Sequence, residues 1–368
     1  MKKILIVGQT PPPFGGQAAM IQKLLDGTYK NVQLIHVRME FSKDMQEMGK
    51  VKGRKLFHLL YIILKIYFLK IVNNVNVIYY PPSGPDKTPV FRDMIILIAT
   101  RWLFTKTIFH FHAGGLSSIY NEMNRLEKYF FKMAYFNPDA SIVMSEKLSD
   151  SARFLNSKKI FIIPYGIPDY LQPSLEVESK SHFPAILFVG LLRETKGEYI
   201  LAKACAILKN ININFRANIV GRFDSLESEQ RFIEFIKKNK LEKNILYCGV
   251  LIGNEKNKIF SEADIFCFPT FFESEAFPVV LIEAMSFGLP IVSTKWRGIP
   301  EMVVDKENGF LVDIKDEKAI ADKLAKLICD ENLRKEMGMN GRKRYLENYT
   351  EEKYHSNLEK CFVEISNV

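Results

Sequence analysis

The chain alternates short apolar runs, rich in Val, Ile and Phe, with longer stretches of helical pattern. Apolar runs of about four to eight residues bounded by turn residues are typical of buried strands. The first half predicts strands at 3–8, 32–37, 76–80, 107–112, 140–145 and 159–166. The pattern then restarts and predicts strands at 185–190, 215–221, 244–250, 264–270 and 290–294. Because helical patterns separate the strands, the sequence predicts an α/β fold with two parallel sheets wrapped by helices.

This restart predicts two domains, which a chain of 368 residues is long enough to form. We place an N-terminal Rossmann-like domain at 1–168, a linker at 169–184, a second Rossmann-like domain at 185–345 and a C-terminal helix at 346–368. The stretch 167–184 carries three prolines and little periodicity, as linkers do. Ligands of open parallel sheets bind beyond the carboxyl ends of the strands, so the two domains are expected to face a central cleft. The continuously helical tail is expected to pack back across both.

The composition is that of a soluble globular protein, with 47% apolar and 25% charged residues. Its five cysteines show no C-x-x-C spacing, which favours reduced core residues in a cytosolic protein. The apolar run after the N-terminus is too short for a secretory signal. The most apolar stretch, 56–72, contains 17 residues and is interrupted by His58, Lys65 and Lys70. This is short of a membrane span, so the polypeptide is expected to stay on one side.

Positive charge is concentrated in the first half. Residues 1–170 hold 23 Lys and Arg against 12 Asp and Glu, a net of +11, whereas residues 171–368 hold 28 against 30. Such asymmetry indicates that the first domain faces an anionic surface. The stretch from Lys50 to Lys70 mixes cations with aromatic residues and is suited to an anionic membrane interface; the alternative is a crossover helix buried against the sheet. No nucleic-acid-binding motif accompanies the charge, so a nucleic acid partner is not expected.

The segment 273–285, ESEAFPVVLIEAM, is the first candidate site. Pro278 favours the first turn of a helix, whose free N–H groups can bind a diphosphate. Glu283 lies five residues on, about 7.5 Å along the axis, where a carboxylate can accept from both hydroxyls of a ribose. Glu275 would lie at the other end of the diphosphate, near an attached sugar. The alternative is a charged loop with one solvated helical glutamate. The backbone expected around the diphosphate is that of Ala276, Phe277, Pro278 and Val279.

A second cluster follows the first strand of the second half, in FVGLLRETKG. It places Gly190, Arg193, Lys196 and Gly197 between a strand and a helix. A lysine there can neutralise phosphate oxygens, and a glycine permits close approach of the backbone. If this cluster is considered by itself, the alternative is that Lys196 is solvated and binds no ligand.

Several blocks of the sequence resemble a known family. The blocks FVGLLRETKG, IVG, CGV, ADIFCFPTFFESEAFPVVLIEAMSFGLPIVSTKWRGIPEMV and NGFLV are similar to successive blocks of the GT-B-fold retaining glycosyltransferases of family 4. The stretch from Glu275 to Glu283 matches the E-x7-E signature of that family. In the first half, PPPFGG, PPSGPDKTPVFRDM and FHFHAGG resemble its polysaccharide-building members.

The resemblance implies roles for individual residues. Glu275 would bind the donor sugar, Glu283 the donor ribose and Lys196 the diphosphate, while Gly298 would lie near the donor pocket. The glycine that matches Gly190 is followed in many relatives by arginine, where this chain has Leu191. Arg193, two positions on, is the candidate for the missing charge.

The first half supplies the acceptor side. The loop GQTPPPFGGQAAM lacks G-x-G-x-x-G but places Gly15 and Gly16 at a helix start, where N–H groups can meet an anion or a sugar. The resemblance puts this loop against the donor phosphate and the acceptor. His110 and His112 are two apart and should face opposite sides of the sheet, so only one is expected in the cleft. His112, which matches the active-site histidine of the family, is the candidate.

These observations predict a hexosyltransferase. It would move a sugar from a UDP- or GDP-sugar to a glycan or polyprenyl-diphosphate-linked acceptor, with retention, in cell-surface polysaccharide biosynthesis. Neither a D-x-D nor a cluster with metal-ligand spacing occurs, so no metal and no cofactor are expected. Attack from the leaving-group side is preferred over double displacement through Glu275. The expected location is the cytoplasm, peripheral on the inner face of the membrane. The alternatives are a nucleotide-sugar epimerase of the same fold and a non-catalytic nucleotide-sugar-binding protein.

Overall fold

The computed structural model describes residues 1–12, 16–41, 53–84, 86–171 and 183–367, without the side chains of residues 53–55. The chain divides into two compact units. Unit 1 comprises Met1–Tyr165 with Glu352–Val368, and unit 2 comprises Gly166–Glu351. Most of the predicted linker lies outside the described residues.

Unit 1 contains a six-stranded parallel sheet in the order β2-β1-β3-β4-β5-β6. Its strands are β1 (Lys2–Gly8), β2 (Val32–Arg38), β3 (Val77–Tyr80), β4 (Lys106–His110), β5 (Ala140–Val143) and β6 (Ile160–Ile162). Its helices are α1 (Gly16–Asp26), α2 (Gly53–Asn73), α3 (Lys87–Thr100), α4 (Leu116–Glu122), α5 (Arg125–Tyr135) and α6 (Asp150–Phe154), and α14 (Glu351–Asn367) closes the chain. The central strands are buried on both faces, which explains their continuous apolar runs.

Unit 2 contains a second six-stranded parallel sheet, in the order β12-β11-β10-β7-β8-β9. Its strands are β7 (Ala185–Val189), β8 (Arg216–Val220), β9 (Ile245–Gly249), β10 (Ile265–Phe268), β11 (Ile291–Thr294) and β12 (Gly309–Val312). Its helices are α7 (Glu198–Asn210), α8 (Leu226–Lys238), α9 (Gly253–Ser261), α10 (Val279–Ser286), α11 (Ile299–Met302), α12 (Glu317–Cys329) and α13 (Glu331–Asn348).

Two elements of unit 2 differ from the sequence prediction. β12 was not predicted, although several predicted strands are equally short; it forms by pairing with β11, Ile291 opposite Gly309. The tail is not one continuous helix but α12, α13 and α14. Asp330 separates α12 from α13, because its side chain accepts a hydrogen bond from the Leu333 N–H and so begins a new helix, and α13 ends before α14 at Tyr349 and Thr350.

The helix α2 also corrects an expectation. It runs for 21 residues, and its segment Leu56–Asn73 is long and apolar enough to cross a membrane by length and composition alone. The stretch is therefore long enough to span a membrane, contrary to the expectation from the sequence. The side chains of Leu59, Ile62 and Ile66 are nevertheless buried in the core of unit 1, at the spacing of one helix face.

Candidate functional site

The two predicted donor-binding loops of unit 2 meet at Lys196 and Glu275. The Lys196 Nζ donates a hydrogen bond of 2.6 Å to Glu275 Oε2, and both side chains are largely buried. They come together because β7 and β10 are neighbours in the sheet, and parallel neighbours end at the same edge. A cation and a carboxylate that lie 79 positions apart in the chain thus form one site, as the sequence hypothesis requires.

The loop between β10 and α10 is held in place by several contacts. Thr270 Oγ1 hydrogen-bonds to Glu275 Oε2 at 3.3 Å, and the Phe271 N–H donates to the Thr195 carbonyl at 2.8 Å. The Trp296 indole N–H donates to the Phe272 carbonyl at 2.8 Å. The Glu275 carboxylate is therefore fixed from both sides, as a group that orients a ligand needs to be.

Glu283 has a partner that the sequence analysis missed. The Lys256 Nζ donates to both carboxylate oxygens of Glu283, at 2.7 and 2.8 Å. Lys256 lies in the first turn of α9, and Glu283 lies in the middle of α10. A carboxylate offers about four lone-pair sites, so two remain for the hydroxyls of a ribose. The only sequence signal was a lysine near a helix start in the crossover before β10.

The start of α10 lies one residue later than predicted. Pro278 is the N-cap residue and Val279 the first helical one. Ala276 and Phe277 are buried, and the Phe277 ring packs edge-on against Tyr349 at 6.1 Å. The Phe277 side chain therefore serves the core of unit 2, which leaves the backbone from Ala276 to Val279 as the part able to meet a ligand.

Gly197 shows why the loop after β7 needs a glycine. Its φ is 94°, and a Cβ would lie 2.3 Å from the carbonyl oxygen of Pro269. Gly197 is also the N-cap residue of α7, directly after Lys196. A side chain at this position would separate the two loops that carry Lys196 and Glu275.

The other two predicted glycines lie close to the same loops. Gly190 follows β7, and a Cβ there would meet the Phe268 ring at 3.4 Å. Gly298 is the N-cap residue of α11, two residues after the tryptophan that bonds to the Phe272 carbonyl.

Arg193 lies beside Lys196. Its guanidinium carbon is 5.7 Å from the centre of the Phe272 ring, over which the Lys196 Nζ lies at 4.5 Å. Its Nε donates to Asp224 Oδ2 at 2.9 Å, while Leu191 is exposed. Arg193 thus brings a second cation to the ring that already contacts Lys196.

Glu198, at the first position of α7, is a buried acid that was not predicted. It is 2% exposed, and its Oε2 has no hydrogen-bond partner among the described residues. Burial raises the pKa of Glu198 to about 7, with smaller contributions from Asp224 and Glu194.

In unit 1, His110 and His112 lie on the same side rather than on opposite sides. Their rings stack at 4.2 Å, because β4 ends at His110 and the strand alternation no longer applies to His112. His112 Nδ1 is 2.5 Å from the hydroxyl of Tyr165, and His110 Nδ1 is 2.7 Å from that of Tyr79. The expectation that the two histidines face opposite sides is therefore wrong.

Both imidazoles are neutral at physiological pH. Burial lowers the pKa of His112 to about 3, and burial together with His112 lowers that of His110 well below its usual value. The Nε2 atoms of both rings are buried and have no hydrogen-bond partner among the described residues. A neutral imidazole with an unpaired Nε2 can either accept from or donate to a sugar hydroxyl, depending on its tautomer.

The loop between β1 and α1 is described only in part. Gly15 lies outside the described residues. Gly16 is exposed and is the first residue of α1, with no atom within 4 Å of where a Cβ would be. The Arg38 Nη2 donates to the carbonyls of Pro11 and Pro12 at 3.2 and 3.1 Å, which anchors the described part of the loop to the end of β2.

Metal ligands and cavities add little to this picture. Within the described ranges, no group of three or more His, Cys, Asp and Glu side chains is arranged to hold a metal ion. A shallow cavity of about 750 Å³ lies elsewhere in unit 2 and contains none of the predicted site residues. It is lined by Gly288, Lys335, Met339, Arg342, Lys343, Leu346 and Glu347.

Comparison with known sequences identifies relatives of this arrangement. Residues 176–344 match the family described as Glycosyl transferases group 1. The capsular polysaccharide biosynthesis glycosyltransferase CapM of Staphylococcus aureus is 30% identical over 251 residues, which are 63% of this chain and 63% of CapM. The chain thus spans less than two thirds of the length of this relative.

Solved structures share the fold over almost the whole chain. A glycosyltransferase from Rickettsia africae is 18% identical, with a TM-score of 0.74 over 99% of this chain and 98% of that one. Anabaena Alr3699/HepE, solved in complex with UDP, is also 18% identical, with a TM-score of 0.71 over 99% and 100%. At this identity the likeness concerns the fold. It confirms the predicted class, an α/β protein of the GT-B type with two Rossmann-like parallel sheets.

Proposed function

We propose that the protein is a glycosyltransferase of group 1. It moves a hexosyl group from a UDP- or GDP-sugar to a glycan or polyprenyl-diphosphate-linked acceptor, with retention of anomeric configuration. The observation that carries the proposal is the contact of Lys196 with Glu275, formed where β7 and β10 end, together with Glu283 on the helix that follows. Glu275 and Glu283 are the two ends of the E-x7-E signature that this sequence resembles, and the match of residues 176–344 covers both of them and Lys196.

The donor is held at its diphosphate, at its ribose and at its sugar. Lys196 and Arg193 meet the diphosphate with the first-turn N–H groups of α10, because cations and free helix N–H groups both favour anions. Glu283 accepts from the ribose hydroxyls, and Glu275 contacts the sugar. Before the donor arrives, Lys196 and Lys256 neutralise the two acids. Each of the two largely buried carboxylates therefore has a cationic partner.

Transfer proceeds on the face from which the leaving group departs. The acceptor hydroxyl oxygen forms a bond to the anomeric carbon as the bond from that carbon to the β-phosphate oxygen breaks, and the hydroxyl proton passes to the departing phosphate. Glu275 holds the sugar and stabilises the positive charge that develops on its ring. His112, neutral and with Nε2 unpaired, positions a sugar hydroxyl.

Cations of the chain take the place of a metal in this proposal. Lys196 and Arg193 contact the same Phe272 ring, so both lie where the diphosphate charge would be. We therefore expect turnover in the presence of a chelator.

The relatives suggest the substrate class. HepE was solved with UDP and with UDP-glucose, and the name of CapM places it in capsular polysaccharide biosynthesis. We accordingly propose a UDP-hexose donor first, a GDP-hexose second, and an acceptor that belongs to a cell-surface polysaccharide. Such acceptors are assembled on a polyprenyl diphosphate, which agrees with a cytoplasmic protein peripheral to the inner face of the membrane.

The donor is tested by a thermal-shift panel of nucleoside diphosphates and their sugars, run with EDTA. One nucleotide and its sugar should raise the Tm in proportion to the logarithm of their concentration. The anomer of the product, read by NMR coupling constants, then tests retention. An inverted product would contradict the proposed stereochemistry, and a panel without any shift would contradict the donor site itself.

Glu275→Gln and the matched variant Glu273→Gln test the site. Glu273 lies in the same loop but is exposed, so its replacement should leave turnover unchanged. Glu275→Gln should lower kcat by about 100-fold or more, because it removes a charge that acts on the transition state. Equal turnover of the two variants would refute the role of Glu275.

The same assays separate the rival functions. An epimerase would convert its nucleotide sugar without any acceptor, which is tested by NMR of the donor alone. A non-catalytic binding protein would give the thermal shift without turnover under any acceptor preparation.

A further inference from the structure

One face of unit 1 exposes many large apolar side chains. Helices α2, α3 and α5 cover the same side of its sheet, because their inner residues belong to a single buried cluster. Their outer residues include large apolar side chains that are half or more exposed, among them Phe57, Leu64 and Phe68 of α2. Contiguous apolar patches on monomers are rarely large unless they bind something.

The helix α5 shows this arrangement most clearly. Leu126, Tyr129, Phe130 and Met133 are exposed at the spacing i, i+3, i+4, i+7, which places them on one stripe of the helix. Its opposite stripe carries the core residue Phe131. An amphipathic helix needs only one apolar stripe for its own fold, so the second stripe is unexplained by folding.

The helix α3 accepts hydrogen bonds from both α2 and α5. The Tyr67 hydroxyl of α2 donates to the Ala99 carbonyl at 2.9 Å, and the Tyr135 hydroxyl of α5 donates to the Val90 carbonyl at 3.4 Å. Trp102, directly after α3, is 70% exposed and packs edge-on against Tyr67 at 6.2 Å. The exposed side chains thus form one surface, which we call the apolar face of unit 1.

The charges on α2 and α5 are mainly positive. α2 contains four Lys and Arg residues and no Asp or Glu. α5 contains Arg125, Lys128 and Lys132 against Glu127, and the Glu127 carboxylate is occupied by the backbone N–H of Asn124 at the helix start. A second copy of the chain seated on this face would bring cations against cations. An anionic surface is complementary to it.

We infer that the apolar face of unit 1 binds an anionic lipid bilayer through two arms, α2 and α5, with Trp102 between them. The inference rests on the proposed membrane-linked acceptor and extends it to elements outside the stretch that suggested it. Exposed Tyr and Trp rings suit the headgroup region, and Leu, Phe and Met side chains suit the acyl boundary beneath it. α2 lies in the interface rather than across it, because Leu59, Ile62 and Ile66 remain in the core.

Flotation of the full chain with vesicles of equal parts phosphatidylglycerol and phosphatidylcholine tests the inference. The α5 variant is Tyr129→Ser with Met133→Ser, and the α2 variant is Leu64→Ser with Phe68→Ser. The control is Leu226→Ser with Ile252→Ser, which removes equally exposed apolar side chains from unit 2. Each arm variant should weaken vesicle binding about tenfold or more, whereas the control should match the wild type. Vesicles of phosphatidylcholine alone should bind more weakly than the mixed ones.

Several outcomes would overturn the inference. These are an α5 variant that binds as tightly as the wild type, a wild type that stays unbound, and a dimer in sedimentation velocity that the α5 variant abolishes. The thermal shift with nucleotide is measured on the same variants and should be unchanged. A failed donor site would therefore show in that shift, and a failed lipid surface would show only in flotation.

Discussion

The most informative single residue in unit 2 is Lys256, because it explains how Glu283 is oriented. Its Nζ contacts both carboxylate oxygens, and the Glu283 side chain is 13% exposed. Removing Lys256 leaves a largely buried carboxylate without the partner that orients it, which makes it a poorer acceptor for ribose hydroxyls.

Replacing Glu283 and Lys256 should weaken nucleotide binding to different degrees. Glu283→Ala removes hydrogen bonds to a charged group and should raise the Kd for the nucleoside diphosphate by about 10- to 150-fold. Lys256→Met should raise it by about 3- to 10-fold with kcat little changed, since the lysine acts through the glutamate. Calorimetry measures both.

Three controls make the lysine prediction specific. Lys258→Met, on the same helix but 62% exposed, should bind as the wild type does. Lys256→Arg should recover part of the affinity. With a 2′-deoxynucleotide the loss caused by Lys256→Met should shrink, and a loss of full size there would contradict an action through the ribose.

At the scale of elements, the start of α7 combines the phosphate-binding loop with a buried acid. Gly197 adopts a φ that side chains avoid, and Glu198 follows it into the interior at 2% exposure. Sequence pattern indicated the glycine but not the acid, because a glutamate at the first helical position is ordinarily solvated.

Glu198→Gln should make the protein more stable in alkaline solution. The folded state keeps the proton of Glu198 up to a pKa of about 7, whereas the unfolded state releases it near pH 4.5. Wild-type stability therefore falls as pH rises through this window, by about 3 kcal/mol, and the variant lacks that loss. Denaturant unfolding at about pH 5 and pH 8 measures the difference. Glu234→Gln, which changes an exposed acid on α8, should follow the wild type at both values.

At the scale of the whole molecule, each unit has its own six-stranded sheet and its own perturbed groups. The paired histidines belong to unit 1, and the donor-binding acids belong to unit 2. Lowering the pH should accordingly destabilise unit 1, whereas a bound nucleotide should stabilise unit 2 by mass action.

Acid should destabilise unit 1 through its buried histidines. The unfolded chain protonates His112 near pH 6.5, while the folded chain does so only at about 3, so stability is lost as pH falls through this window. The loss is about 1.4 kcal/mol per pH unit for this group. His112→Asn should reduce the slope of unfolding free energy against pH by that amount between about pH 6.5 and 4.5. Equal slopes in variant and wild type would show that the imidazole is not buried in solution.

Local sequence pattern was sufficient to predict most of the strands. The eleven predicted strands are present, because a buried parallel strand is a short apolar run between turns, and that signal lies within a few neighbouring residues. The loops that carry Lys196 and Glu275 were found for the same reason, since each is defined by a strand end and a helix start. β12 was not predicted, although it is as long as β3, β5, β10 and β11.

Tertiary structure decided which of these pieces meet. Only the order of strands in the second sheet places β7 beside β10, and so brings Lys196 to Glu275. The contact of Lys256 with Glu283 depends on the packing of α9 against α10. The stacking of His110 on His112 depends on where β4 ends, which the pairing with β5 sets. The exposed stripe of α5 likewise follows from which side of that helix the sheet has already covered. Periodicity along the chain indicates whether a segment is a helix or a strand. Contacts between distant elements depend on their packing, which the sequence of one segment does not determine.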